Sequence, residues 1–173
     1  MMPACNPESA RLAKRRRDAA LDALADRIPY IGFLGISFER HGDELTAALA
    51  FDGKLIGNPR LPALHGGVTA AFLEVAAIIE LSWTCYREDF EGVASRRKPS
   101  RADAMPRLPK TIDFTVDYLR PGLPRDAYAR ARVNRSGRRY ASVHVEAWQD
   151  SRSRLFAQAT GHFLMAVPTD APG

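Results

Sequence analysis

Residues 65–86 read HGGVTAAFLEVAAIIELSWTCY. From Val68 to Ile79 the stretch is apolar on nearly every face of a helix, with Glu74 its only charge. A helix that is apolar all round has to be buried by the rest of the chain. His65-Gly66-Gly67 stands at its entry. Upstream, GKLIGNPRLPAL (53–64) has the glycine and proline content of an irregular connection. Downstream, REDFEGVASRRKPSRADAMPR (87–107) is polar, mixed in charge and broken by Pro99 and Pro106, which predicts a long loop.

Further out on both sides the period changes from helical to twofold. Leu34, Ile36 and Phe38 alternate with polar or small neighbours, His41-Gly42-Asp43 turns the chain, and Leu45, Ala47, Leu49 and Phe51 alternate again, predicting a hairpin from Phe33 to Phe51. After the loop come four more such segments: Ile112/Phe114/Val116/Tyr118, Ala127/Ala129/Ala131/Val133, Ala141/Val143/Val145/Ala147 and Leu155/Ala157/Ala159/Gly161/Phe163. Turns at Pro121-Gly122, Ser136-Gly137 and Asp150-Ser151 separate them as an antiparallel meander would. Two strands, one buried helix and four strands exclude an alternating βαβ fold. The expected class is α+β: one curved antiparallel sheet wrapped around a long central helix, the hotdog arrangement. Residues 8–27, ESARLAKRRRDAALDALADR, read as a peripheral amphipathic helix ending before Pro29. The expected division is an N-terminal helical extension (1–28), a single domain (29–167) and a tail (168–173).

A chain of 173 residues that is 46% hydrophobic and 26% charged can bury one core without staples and is not a disordered composition. Cys5 and Cys85, the only cysteines, make neither a disulfide framework nor a CxxC metal site, which suits a reducing compartment. With no leader-like apolar region near the N-terminus and no uncharged run of bilayer length, the expectation is a cytoplasmic protein without a membrane partner. Twenty-five Lys and Arg against 20 Asp and Glu, a net +5, suit an anionic partner. Arg15-Arg16-Arg17 is followed within a turn by acids and lacks interleaved aromatics, so a solvated helix face is favoured over a nucleic-acid patch.

Glu74 and Glu80, six residues apart, lie about 120° apart around a helix and cannot share a face. Glu80 is expected near the helix end, close to solvent, and Glu74 among Phe72, Leu73, Val75 and Ala76 is expected to be desolvated. A carboxylate so placed needs a partner or a purpose, and desolvation raises its pKa toward the range useful for a general base or nucleophile. The N–H groups of Gly66 and Gly67 fall among the unpaired donors of a helix N-terminus, a candidate oxyanion site. His65 reads as a loop-fixing hydrogen-bond donor. His144 and His162 lack a carboxylate at metal-ligand spacing and are read as structural.

His65-Gly66-Gly67 followed by Glu74 resembles the HGG(x)6(D/E) signature of the PaaI-type hotdog acyl-CoA thioesterases. Asn58-Pro59, IDFTVDYLRPG (112–122) and RSGRR (135–139) extend the resemblance over about residues 30–167. It implies hydrolysis of acyl-CoA or acyl-carrier-protein thioesters with no metal and no cofactor, coenzyme A entering only as part of the substrate. Residue by residue it implies Glu74 as base or nucleophile, Gly66 N–H as oxyanion donor, His65 holding the loop and Asn58 positioning water. Asn58 precedes His65 by seven residues rather than the family's usual six, and Ile78 stands where some relatives carry a hydroxyl one turn after the acid.

Geometry adds that Gly66 and Glu74, eight residues apart on one helix, are separated by about 12 Å along its axis. Base and oxyanion donor must each reach within about 3 Å of their atoms, so the two are expected from different subunits of at least a homodimer, with a tetramer also open. Gly67, Arg138 and Arg139 are the expected substrate contacts, the arginines meeting the phosphates of coenzyme A. Arg96, Arg97, Lys98 and Arg101 form a second basic cluster. Two other classes fit less well: a hotdog dehydratase or hydratase using His65 and Glu74, for which the chain lacks a His-Phe-Pro segment, and a non-catalytic acyl-CoA-binding regulator.

Overall fold

The computed structural model describes residues 7–90 and 107–165. Helix α1 (Pro7–Ala25) is followed by a short helix α2 (Pro29–Leu34), the hairpin β1 (Ile36–His41) and β2 (Glu44–Leu49), and the long helix α3 (Gly66–Phe90). Strands β3 (Lys110–Tyr118), β4 (Ala127–Ser136), β5 (Tyr140–Trp148) and β6 (Ala157–Leu164) complete one six-stranded sheet in the order β1-β2-β4-β5-β6-β3. Every pairing is antiparallel, and α3 lies against the inner face of β4, β5 and β6. This is the hotdog arrangement expected from the pattern.

The inner face explains how a helix fits so close to a sheet. The register aligns Ala47, Ala129, Ala147 and Ala157 in one row across four strands, all of them buried. These minimal side chains leave room for Phe72, Leu73 and Ile79 of α3, which are wholly buried. By length and apolarity Gly66–Cys85 would pass for a bilayer-spanning helix. Here that surface serves the core.

Four expectations need correction. Phe33 and Leu34 belong to α2, because Gly35 in the left-handed region (φ 74) ends that helix and lets the strand begin at Ile36. Helix α3 continues through Arg87–Phe90, so Glu80 sits well inside it, half-buried, rather than at its end. The rest of the expected loop, with Arg96, Arg97, Lys98 and Arg101, lies outside the described residues. Strand β3 does not enter a meander with β4; it pairs with β6 at the far edge. Strands β2 and β3 therefore run parallel, and parallel strands need a crossover, which α3 provides.

The fourth correction concerns the face of β3. Ile112, expected inside, is 54% exposed, because the register with β6 slips between Thr111 and Asp113. One extra residue in a strand reverses the alternation. Phe114, Val116 and Tyr118 keep the helix side as expected, and Thr111, not Ile112, joins them there. The return from β3 to β4 crosses the sheet end: Arg120 Nη1 donates to the Leu155 carbonyl (2.6 Å) and Leu64 N–H donates to the Gly122 carbonyl (2.8 Å). Near the chain's other turn, Asp52 caps Gly53–Leu55 by accepting from Lys54 N–H (2.9 Å), which holds its carboxyl below the ordinary value.

Candidate active site

Helix α3 begins at Gly66, so His65 is the residue that caps it and Gly66 and Gly67 are its first two helical residues. The capping runs opposite to expectation. His65 Nδ1 accepts from Gly67 N–H (3.0 Å), the bond a cap side chain makes with an unpaired donor of the first turn, so His65 acts as acceptor rather than donor. Its backbone N–H donates to the Leu55 carbonyl (2.8 Å) and its carbonyl accepts from Thr69 N–H (3.0 Å). The imidazole also packs on Gly57, where a Cβ would lie 2.7 Å from its Cδ2. The loop is thus tied at His65 by backbone and ring together.

Gly67 N–H is committed to that cap. Gly66 N–H meets no acceptor among the described residues, which leaves it an open donor at the helix's positive end. Its own carbonyl is fixed by Tyr118 Oη, which donates to it at 2.8 Å, so β3 sets the position of the first turn. Tyr118 was read from sequence only as a strand residue; nothing in the pattern tells that its hydroxyl reaches a backbone 52 residues away.

Glu74 is half-buried on α3, not enclosed, and it has a partner. Thr111 Oγ1 donates to Glu74 Oε1 at 2.6 Å. Alternation from Phe114 directs Thr111 to the outer face, and the extra residue at Ile112 turns it inward, so this partner was invisible to the sequence pattern. Oε2 takes no hydrogen bond from the described residues. Half-buried Val68, Ala70, Ala71 and Ile78 share the open side of α3 with Glu74, giving the carboxylate an apolar surround with one oxygen clamped and one available. Ile78 offers only its carbonyl, which accepts from Ser82 Oγ (2.7 Å).

One chain does not bring Glu74 and Gly66 together: each is held by a different end of β3. Asn58 is spent on its own turn, its Oδ1 accepting from Arg60 N–H (3.0 Å). Arg138 and Arg139 are exposed in the β4–β5 connection. The Arg139 carbonyl accepts from Met165 N–H, and the next row of the sheet runs Ala141, Phe163, Thr111, so the arginines belong to the sheet end where Thr111 meets Glu74. On the outer face His162 Nδ1 lies 2.8 Å from Asp113, a carboxylate neighbour that spacing along the chain hid. Among the described residues no three metal-ligating side chains converge.

A sequence model of the thioesterase superfamily matches residues 61–155. The chain is 33% identical over 141 residues to the medium/long-chain acyl-CoA thioesterase YigI of Escherichia coli (strain K12), covering 80% of this chain and 86% of that protein. A solved Shewanella oneidensis structure, described as related to the thioesterase superfamily, is similar with a TM-score of 0.64 and 27% identity, covering 94% of this chain and 100% of that one. The Escherichia coli PaaI protein from the phenylacetic acid degradation operon matches with a TM-score of 0.64 over 87% of this chain and 91% of that one; at 15% identity that likeness is one of fold.

The capping role of His65 carries a stability prediction. Replacing His65 by Ala should cost about 1 kcal/mol, and His65→Asn should recover most of that. Urea unfolding measures both, and an unchanged midpoint in His65→Ala would show that the ring does not cap α3.

Proposed function

The chain belongs to the thioesterase superfamily, and from that membership we propose that it hydrolyses acyl-CoA thioesters to the free acid and coenzyme A, using Glu74 of one subunit and Gly66 of another. The observation that carries the reading is the Thr111–Glu74 bond. It fixes one carboxylate oxygen and leaves the other without a hydrogen bond among the described residues, the arrangement a general base needs.

In the proposed step, Glu74 Oε2 removes a proton from water as the water oxygen bonds to the thioester carbonyl carbon. The carbonyl electrons move onto oxygen, and Gly66 N–H donates to that oxyanion. Collapse of the tetrahedral intermediate breaks the carbon–sulfur bond, and Glu74 returns the proton to the departing thiolate. No metal or cofactor enters these steps. Tyr118 acts through Gly66 and Thr111 through Glu74; both are positioning residues.

The separation of about 12 Å along α3 supports a site shared between subunits. So does the sheet: among the described residues β3 pairs only with β6, leaving an edge able to pair with a second copy, and the half-exposed Ala70, Ala71 and Glu74 lie on a helix face narrow enough for close approach. The named activity of the Escherichia coli relative favours medium or long acyl chains, and Val68, Ala71 and Ile78 offer an apolar surface for one. The position of Arg138 and Arg139 at the Thr111 end of the sheet supports a role in holding the nucleotide phosphates. A cytoplasmic setting agrees with the expected substrate.

Glu74→Gln should lower kcat for a medium-chain acyl-CoA by on the order of 100-fold. Thr111→Val, which keeps shape but not the hydroxyl, should lower kcat with little change in KM, while Glu80→Gln stays near wild type. Thiol release in stopped assays reads all three, and a folded Glu74→Gln within a few-fold of wild type removes Glu74 from the chemistry. Replacing Arg138 and Arg139 by Ala should raise KM for the CoA ester more than for the matching pantetheine ester, since the lost contacts are to phosphates. Equal losses on the two substrates would exclude phosphate contacts.

A further inference from the structure

The basic helix α1 carries none of the residues proposed for thioester hydrolysis, and it is anchored through a buried arginine. Its buried residues Ala20, Leu21 and Leu24 pack over the β1 edge of the sheet. Along β1, Ile36 and Phe38 turn toward the core, and the next position in that alternation is Arg40. A cation in a core-facing register must be covered and paired. Arg40 is both: its side chain is only 7% exposed, and Nη2 lies 3.1 Å from Asp18 Oδ1 of α1. Nη1 donates to the Gly42 carbonyl (2.7 Å). Its Nε is buried with no hydrogen-bond partner, a donor without an acceptor that a folded protein rarely tolerates.

Beside this guanidinium, between α1 and the β1–β2 turn, is an open cavity of about 480 Å³ lined by Ala13, Lys14, Arg17, Arg40, His41 and Gly42. Among the described residues no carboxylate lines it. Lys14 and Arg17 are three residues apart and so rise from the same face of α1. Asp18, Asp22 and Glu39 line the adjoining cavity of about 330 Å³, together with Lys14, Arg40 and His41. Lys14, Arg40 and His41 line both spaces, and Arg17 lines only the one without an acid.

We propose that the cavity between α1 and the β1–β2 turn is a binding site for a phosphoryl group, with Lys14, Arg17, Arg40 and His41 as its donors. A guanidinium held by two fixed contacts is preorganised for an oxyanion, Lys14 adds a compact charge, and the volume suits a phosphate with a substituent attached. The arginine run at 15–17 thereby acquires a role for one member, Arg17, that composition alone could not assign. The site lies on the β1 edge, at the opposite side of the sheet from β3 and its contacts with Glu74 and Gly66.

The test uses the full chain carrying Arg138→Ala and Arg139→Ala, so that those arginines cannot supply the signal. Inorganic pyrophosphate is titrated calorimetrically into this protein and into the same protein with Lys14→Gln and Arg17→Gln. Lys14 is exposed and Arg17 half-buried, both outside the core cluster, and matching circular dichroism verifies the fold. One equivalent per chain, weakened about tenfold or more by the added pair and by raised salt, is the expected result. Vesicles containing phosphatidylglycerol distinguish the source: cosedimentation that pyrophosphate competes away and that the pair abolishes marks a lipid headgroup, and pyrophosphate binding without cosedimentation marks a soluble phosphate. Equal affinity in the two proteins, or no binding to either, overturns the proposal. No readout uses thioester hydrolysis, so the outcome is independent of the proposed activity.

Discussion

Two hydrogen bonds from β3 to α3 fix the two groups on which the proposed reaction depends. Tyr118 Oη holds the carbonyl of the helix's first residue, and Thr111 Oγ1 holds the carboxylate two turns later. They work because α3 is the crossover between parallel β2 and β3 and so runs antiparallel to β3, matching the start of the helix with the end of the strand. The alanine row at Ala47, Ala129, Ala147 and Ala157 lets the helix approach the sheet closely. Larger side chains there would lift α3 and lengthen both bonds.

The same constraint keeps the two functional groups apart. A helix cannot fold back within eight residues, so an acid at Glu74 and an open N–H at Gly66 serve different sites unless a second chain brings its own pair. His65 satisfies Gly67, while Gly66 N–H meets no acceptor among the described residues. The division of labour in the first turn, one N–H capped and one free, is a local consequence of a histidine ring wedged against Gly57.

Much of this was legible in the sequence, and the failures share a cause. Period-two alternation with small residues at Ala127, Ala129, Ala157 and Ala159 describes the inner face, and the one charge in the apolar run Val68–Ile79 after His-Gly-Gly points to Glu74. What alternation cannot report is where a strand breaks it. The extra residue at Ile112 reversed the facing of Thr111 and concealed the partner of Glu74. Sequence adjacency likewise placed β3 beside β4, although burying α3 requires β3 to return at the opposite edge. The direction of the His65 bond depends on which ring atom meets a backbone N–H, which residue type does not specify, and Phe33 was assigned to a strand because the left-handed turn at Gly35 was not recognised.

The central claim is that one subunit supplies the base and the other the oxyanion donor. A purified heterodimer of one Glu74→Gln chain and one Gly66→Pro chain tests it directly. Proline fits the first helical position while removing its N–H, and a Cβ at Gly66 meets Tyr118 Oη at an ordinary 3.5 Å. Each homodimer should be nearly inactive. With shared sites, one site of the heterodimer carries both defects and the other neither, so about half of the wild-type activity should return. A folded heterodimer with no more activity than its parents would contradict the account.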